Sequence, residues 1–315
     1  MRTILLVTAA VTIAAALPAL AETASPYSFE RGYPTADTAR RARDDADFER
    51  AVTAYRFWYP TVSIEGVFAG NREAGMKDSE QMGIVAGGPR QIGFTLNSDT
   101  PYGSGVIDVS NGPVVIEIPP GPFIGLVDDH HQGWVLDMGL PGPDAGKGGK
   151  HLVLGPDFKG EVPSGYHAAR SKSFKNLIAM RALPVGGDVN GAIAALRSIK
   201  IHPLGSDHDL SFVDTTQREI DFTSLRWEDN IKFWEVLAHI VDAEPLVPSY
   251  LPMYGLLAEL GIAKGNSFAP DARMRDILDR AAKAGRDQML VSAFDSARED
   301  RLNWPDRKWE WVGLV

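Results

Sequence analysis

The sequence predicts an α+β fold: an antiparallel sheet region of β-sandwich or jelly-roll type, with one helix before it and a mostly helical part after it. Three observations carry that expectation. Short apolar runs punctuated by Gly and Pro recur between residues 90 and 182, a pattern that suits antiparallel strands rather than parallel βαβ units. Upstream, Phe48, Ala51, Val52, Tyr55 and Tyr59 recur at three- and four-residue steps, the spacing of one helical face. Downstream of residue 229 the helical period returns three times.

The chain has 315 residues, 44% hydrophobic and 23% charged, the composition of a globular protein with ample material for a core. Its formal net charge is -9 and no Lys/Arg run offers a basic patch, which argues against a nucleic-acid partner. Residues 1–21 read as a signal peptide. Arg2 supplies the positive start, Ile4 to Leu17 the apolar region and Ala19-Leu20-Ala21 the cleavage box. The expectation is a periplasmic or secreted protein cleaved near Ala21, with no later membrane span. There are 0 cysteines, so no disulfides, thiolate ligands or thiol nucleophiles are available.

Four segments follow from this reading: the signal peptide 1–21, a flexible arm 22–36, a helix plus sheet domain 37–210, and a helical segment 211–315. The arm is rich in turn formers. The first helix runs from about Asp37 to Tyr59, where Pro60 interrupts it. Ile107-Asp108-Val109 and Val114 to Ile118 flank Asn111-Gly112, the strongest short-range hairpin signal, because both turn residues tolerate positive φ. A two-residue loop there pairs Asp108 with Val115 and Ile107 with Ile116. It turns Ile107, Val109, Val114, Ile116 and Ile118 to one apolar face, with Asp108 and Glu117 diagonal on the other. That pair reads either as acid–base carboxylates or as a solvated outer face.

Further along, Phe123 to Leu136 reads as one strand, His151 to Leu154 and Lys175 to Leu183 as two more, and residues 188–198 as a short helix. In Asp229–Asp242, Phe233, Trp234, Leu237, Ile240 and Val241 form a buried face, with His239 on the polar one. Leu251 to Leu260 is stopped by Gly261, and a third helix opens at Pro270-Asp271 with Met274, Ile277, Leu278 and Ala281 inward.

Asp128-Asp129-His130-His131 is the densest titratable run. On a strand, Asp128 shares a face with His130 and Asp129 with His131, so each pair offers a base with an orienting carboxylate. Catalytic zinc needs three protein ligands, and the reading taken is a hydrogen-bonded pocket with no metal and no cofactor named. Asp207-His208-Asp209 reads as a solvated loop. Arg181, ending the apolar run Leu177 to Met180, serves either a carboxylate of the sheet or an anionic ligand. Gly142 to Gly148 lacks the spacing of a phosphate-binding loop, and Gly103-Ser104-Gly105 is not a nucleophile elbow.

Several ordered segments resemble one family, the exported bacterial proteins carrying domain of unknown function 1254. They are A-Y-x-F-x-Y-P (Ala54 to Pro60), N-x-D-T-x-Y (Asn97 to Tyr102), D-x-S-x-G-P (Asp108 to Pro113), E-I-P (Glu117 to Pro119), G-L-P-G-P-D-A-G-K-G-G-K (Gly139 to Lys150) and F-W-E (Phe233 to Glu235). The resemblance implies a sandwich-rich domain with flanking helices. Members of that family commonly continue into domain of unknown function 1214; the expectation here is a chain without it, the Trp304 to Trp311 stretch being where the connection would begin, and the resemblance assigns no catalytic role.

The functional expectation is an exported protein binding or acting on a small molecule in a sheet pocket, by Asp/His acid–base hydrolysis or elimination if it is an enzyme. Asp128, His130 and Arg181 are the catalytic candidates; Asn97, Asp99, Tyr102, Asp108 and Glu117 are the substrate-binding candidates. The alternative is a non-catalytic envelope protein acting through assembly, including with copies of itself, by aromatic segments such as Phe57-Trp58-Tyr59.

Overall fold

The computed structural model describes residues 26–93, 96–223, 226–295, 298–304 and 306–310. The leader expected at 1–21 lies outside them. The chain divides into two units, with the boundary between Asp45 and Ala46. In the first, β1 (Phe29–Glu30) and β2 (Tyr33–Pro34) form an antiparallel ladder. Their turn uses positive φ at Arg31 (52°) and Gly32 (87°). Helix α1 (Ala36–Glu73) starts in this unit, where the Thr35 hydroxyl accepts the Thr38 N–H.

Helix α1 does not stop before Pro60; it runs through it to Glu73. Proline costs the helix one backbone donor, but the segment beyond it carries Ile64 and Phe68, both buried. Burying each such side chain is worth roughly 1.5–3 kcal/mol, enough to offset the missing bond. Gln132 also donates to the Pro60 carbonyl at 3.1 Å and to the Ser63 hydroxyl at 3.0 Å.

After α1 come β3 (Gln81–Val85), β4 (Gln91–Gly93), β5 (Tyr102–Asp108), β6 (Val114–Ile118), β7 (Phe123–Asp129) and β8 (Trp134–Gly139). Next are β9 (Gly149–Leu154), β10 (His167–Arg170), β11 (Lys175–Ala182), helix α2 (Val189–Leu196), β12 (Lys200–Pro203), β13 (Ser211–Asp214) and β14 (Ile220–Phe222). The chain then gives helices α3 (Ile231–Ala243), α4 (Leu251–Glu259) and α5 (Ala272–Phe294), and the pair β15 (Leu302–Trp304) and β16 (Arg307–Glu310). The result is a mixed helix and sheet protein in which antiparallel pairing dominates. One sheet has the order β13-β3-β5-β11-β7-β8 and another β10-β9-β6-β12. Among the described strands, only the edge pairs β13–β3 and β10–β9, and the separate pair β14–β4, are parallel.

The Asn111-Gly112 hairpin does not form. β5 pairs with β3 and β11, while β6 pairs with β9 and β12 in the other sheet. The turn is real, with Gly112 N donating to Val109 O at 3.3 Å and Gly112 at φ 138°. It passes the chain from one sheet to the other. Ile107, Val109, Val114, Ile116 and Ile118 still share a single core cluster with residues of both sheets. Alternation assigns side chains to the core whether two strands lie side by side or in different sheets. Asp108 and Glu117 are therefore not diagonal neighbours.

The run Phe123 to Leu136 is likewise two strands. Asp129 closes the turn between β7 and β8, its carboxylate accepting the N–H groups of His131 and Gly133, both at 2.8 Å. Turn geometry replaces strand alternation at His130 and His131.

A second core cluster is helical. Ala51, Ala54, Tyr55, Trp58 and Val62 of α1 meet the five expected α3 residues except Ile240, with Leu257 of α4 and Leu278, Ala281 and Ala282 of α5. Asn230 caps α3 and Asp271 caps α5. Gly261 (φ 86°) follows α4. His239 is exposed on the polar face of α3. Ile64 and Phe68 of α1 pack on Val106 of β5 and Leu177 of β11, so the helix covers the outer face of the six-stranded sheet.

Candidate functional site

Three adjacent strands build a floor on that outer face. The registers align Tyr102, Arg181 and Ile124 in one row, Ser104, Ala179 and Leu126 in the next, and Val106, Leu177 and Asp128 in the third. Helix α1 supplies a wall through Tyr59, Pro60, Ser63, Ile64 and Val67, and Gly93, Leu96 and Gln132 close the sides. The cavity, open on one side, is about 690 Å³. Its lining is chiefly aliphatic, with Asp128 and Arg181 the ionisable groups besides two tyrosines. Pockets of this size and character are the usual form of small-molecule sites.

Asp128 accepts no hydrogen bond from any described residue, and among those residues it has no ion-pair partner. Burial, reinforced by the charges of Asp129 and Asp137, pushes its carboxyl up to about 6. A carboxyl tuned to that range exchanges a proton readily near neutral pH. At the other end of the floor the Arg181 guanidinium lies 4.6 Å from the Tyr102 ring centroid. No carboxylate among the described residues pairs with it. Four strand residues separate the Arg181 row from the Asp128 row, roughly 13 Å at the usual rise per residue.

The N-x-D-T-x-Y segment explains itself in this frame. Asn97 Oδ1 accepts the N–H groups of Asp99 (3.0 Å) and Thr100 (3.1 Å), and its Nδ2 donates to the Tyr102 hydroxyl at 2.7 Å. Asn97 thus sets the loop and holds the tyrosine on which Arg181 stacks. Asp99 is exposed and does not line the cavity.

His130 belongs to a different arrangement. It is 2% exposed and clamped between two carboxylates, with Nδ1 3.0 Å from Glu244 Oε1 and Nε2 in ion-pair contact with Glu65 Oε2 at 3.0 Å. Glu65 also pairs with Arg72 at 2.7 Å, and Arg72 with Asp78 at 2.7 Å. Glu244 accepts the N–H groups of Phe174 (2.6 Å) and Lys175 (3.1 Å). Burial alone lowers the His130 pKa, but the bonds to Glu244 and Glu65 outweigh it and hold it above the usual range. Glu65 is raised by burial and then pulled down, by His130 and Arg72, to about 2. That raised pKa favours the imidazolium, with Nδ1 hydrogen-bonded to Glu244 and Nε2 facing Glu65, and His130 does not line the cavity. Nothing in the sequence connected it to Glu65 or Glu244, which stand on other elements.

His131 contacts Thr61 at 2.9 Å and packs beside Trp58 and Tyr250; burial lowers it to about 4. Asp108 accepts the Ser110 N–H at 2.8 Å at the crossing between sheets. Glu117 pairs with Lys150 at 2.8 Å and lies 3.5 Å from His202 on the second sheet. Among the described residues, no group of three or more His, Cys, Asp or Glu side chains is arranged to hold a metal ion. The structure thus brings Asp128, Tyr102 and Arg181 to one cavity, with Asn97 behind it, and leaves His130, Asp99, Asp108 and Glu117 elsewhere. Ser63, Ile64, Val67 and Gln132 complete the cavity and were not foreseen, because only the docking of α1 brings them there.

Residues 85–203 match the family model described as Protein of unknown function (DUF1254). Residues 85–203 of this chain are thus similar to that domain. The matched span holds the whole floor of the cavity, while α1 and Glu244 stand outside it. No functionally curated protein matches the chain. Among solved structures, the VPA0106 protein from Vibrio parahaemolyticus aligns with a TM-score of 0.58 at 16% identity, over 78% of this chain and 59% of that one. That likeness shows a shared fold, and the chain spans 59% of that protein's length. An uncharacterised Burkholderia cenocepacia protein aligns at a TM-score of 0.25 and 12% identity, over 77% of this chain and 57% of that one. At that score it carries no argument about fold.

Proposed function

We propose that this protein is exported to the periplasm and binds a small organic molecule beneath helix α1, with Asp128 as the group that exchanges a proton with it. In this reading the two larger sheets face each other as a sandwich. The cavity lies on the outer face of the six-stranded sheet, not within the sandwich core. The observation that carries the proposal is the Asp128 carboxyl, without a partner among the described residues and raised to about 6, in a largely apolar cavity of about 690 Å³. A surface carboxylate gains nothing from such a position, whereas an acid–base group is tuned by it. Hydrolysis or elimination assisted by one carboxyl group is the chemistry this supports. The proton transfer rests on Asp128 alone, since His130 is committed to Glu65 and Glu244.

Ala179, at the middle of the floor, gives the test. Ala179→Phe fills the cavity from a position whose partners, Ser104 and Leu126, need not move. The fluorescent amphipathic anion 8-anilinonaphthalene-1-sulfonate should bind the wild type saturably, and this variant at least tenfold more weakly at unchanged circular dichroism. Equal binding by both proteins refutes the cavity as the site.

A further inference from the structure

The geometry points to an amphipathic monocarboxylate as the ligand class, its carboxylate on Arg181 and its hydrocarbon body running along the floor toward Asp128. This rests on the cavity reading above and adds the orientation and chemistry of what fills it. Arg181 is the deciding group. Arg181 is half-buried, with its guanidinium stacked on Tyr102. It donates to no acceptor among the described residues, so its fork of N–H groups is available at the edge of a largely apolar cavity. A planar fork of fixed charge matches a carboxylate in two parallel hydrogen bonds. Leaving it without an anion while half-desolvated is unfavourable.

The rest of the floor selects the body of the ligand. Between the Arg181 row and the Asp128 row the lining offers Ile124, Ala179, Leu126 and Leu177 from the sheet and Ile64 and Val67 from α1. Ser104 is the exception, and its hydroxyl is directed to Asn71 Oδ1 at 3.3 Å. A hydrocarbon chain of roughly 13 Å reaches from one end to the other at the strand rise. Its far end then lies beside Asp128, so a proton-bearing substituent carried there is what the carboxyl would exchange with. A cationic head group at Asp128 is the reverse orientation, and it leaves Arg181 facing hydrocarbon.

Calorimetric titration of the purified full chain with decanoate, decanol and decylamine distinguishes these arrangements. Decanoate should bind, with decanol roughly tenfold to hundredfold weaker, the range a charge-assisted pair contributes. Arg181→Gln should remove that preference, bringing decanoate down to the affinity of decanol, with a circular dichroism spectrum unchanged from the wild type showing that the variant is folded. Decanoate and decanol binding equally, or Arg181→Gln retaining the preference, overturns the head-group assignment and leaves the cavity reading intact. Decylamine as the tightest ligand overturns the orientation in favour of Asp128. Binding of none of the three overturns both the inference and the cavity reading.

Discussion

At the scale of single residues, Asp128 carries the main functional consequence and also a cost to the fold. Its pKa of about 6 exceeds the ordinary value of 3.8, so the folded state holds its proton more tightly than the unfolded chain. A raised carboxyl takes stability away as pH rises from about 3.8 to about 6, and the penalty is constant above that. Asp128→Asn keeps the shape and removes the charge. It should melt higher than the wild type at pH 8, with the gap shrinking as pH falls through 6 and closing below about 4. Thermal melts across that range check it; a gap that does not vary with pH means that the carboxyl is not perturbed. The same substitution should abolish any activity with an apparent pKa near 6. Asp128, Arg181 and Tyr102 were legible as individual residues, because a charge interrupting or ending an apolar run is conspicuous. Their common cavity was not, since it depends on register between β5, β11 and β7 and on the helix above them.

At the scale of elements, α5 lies against α1 through one missing side chain. A methyl group built at Gly285 would stand within van der Waals overlap of Tyr55 Cδ1, and Tyr55 is fully buried with its hydroxyl donating to Glu228 O. Two effects oppose each other in Gly285→Ala. Alanine favours the helix by roughly 0.5–1 kcal/mol. Overpacking a core contact costs roughly 1–3 kcal/mol, and the Tyr55 ring is held at both ends. The clash wins, and the variant should unfold at a lower urea midpoint with unchanged m-value. A higher midpoint means the helices separate without penalty. Element-level reading succeeded where the pattern is local: all five buried positions of α3 and the Gly261 stop follow from spacing and from the chemistry of helix ends. It failed at Asn111-Gly112 and at Pro60. A turn signal says that the chain reverses, not which sheet receives it. A proline says that a bond is lost, not that packing beyond it falls short of replacing that bond.

At the scale of the whole molecule, the Arg72–Glu65–His130–Glu244 network is the bond between distant parts of the chain. It joins α1, the turn between β7 and β8, the approach to β11 and the end of α3. Its members share no sequence signal because each element contributes only one or two charged residues to it. Its pH dependence has two limbs. Glu65, lowered to about 2 from 4.5, supports folding above about 4.5, and that support is lost as pH falls toward 2. His130, raised above 6.5, supports folding fully below that value, and the support is lost as pH rises through its folded pKa. His130→Gln leaves two buried carboxylates facing an uncharged amide, a change of the kind that costs roughly 3–5 kcal/mol. The variant should melt well below the wild type near neutral pH, and should lack the alkaline decline that the wild type shows. Melting curves from about pH 3 to pH 10 on both proteins decide the matter. Were His130 an acid–base catalyst instead, the substitution would leave stability and its pH profile unchanged and remove activity alone. Two carboxylates at 3.0 Å on either side of a buried ring argue for the first outcome, because they favour the protonated ring, which has no lone pair to offer a substrate.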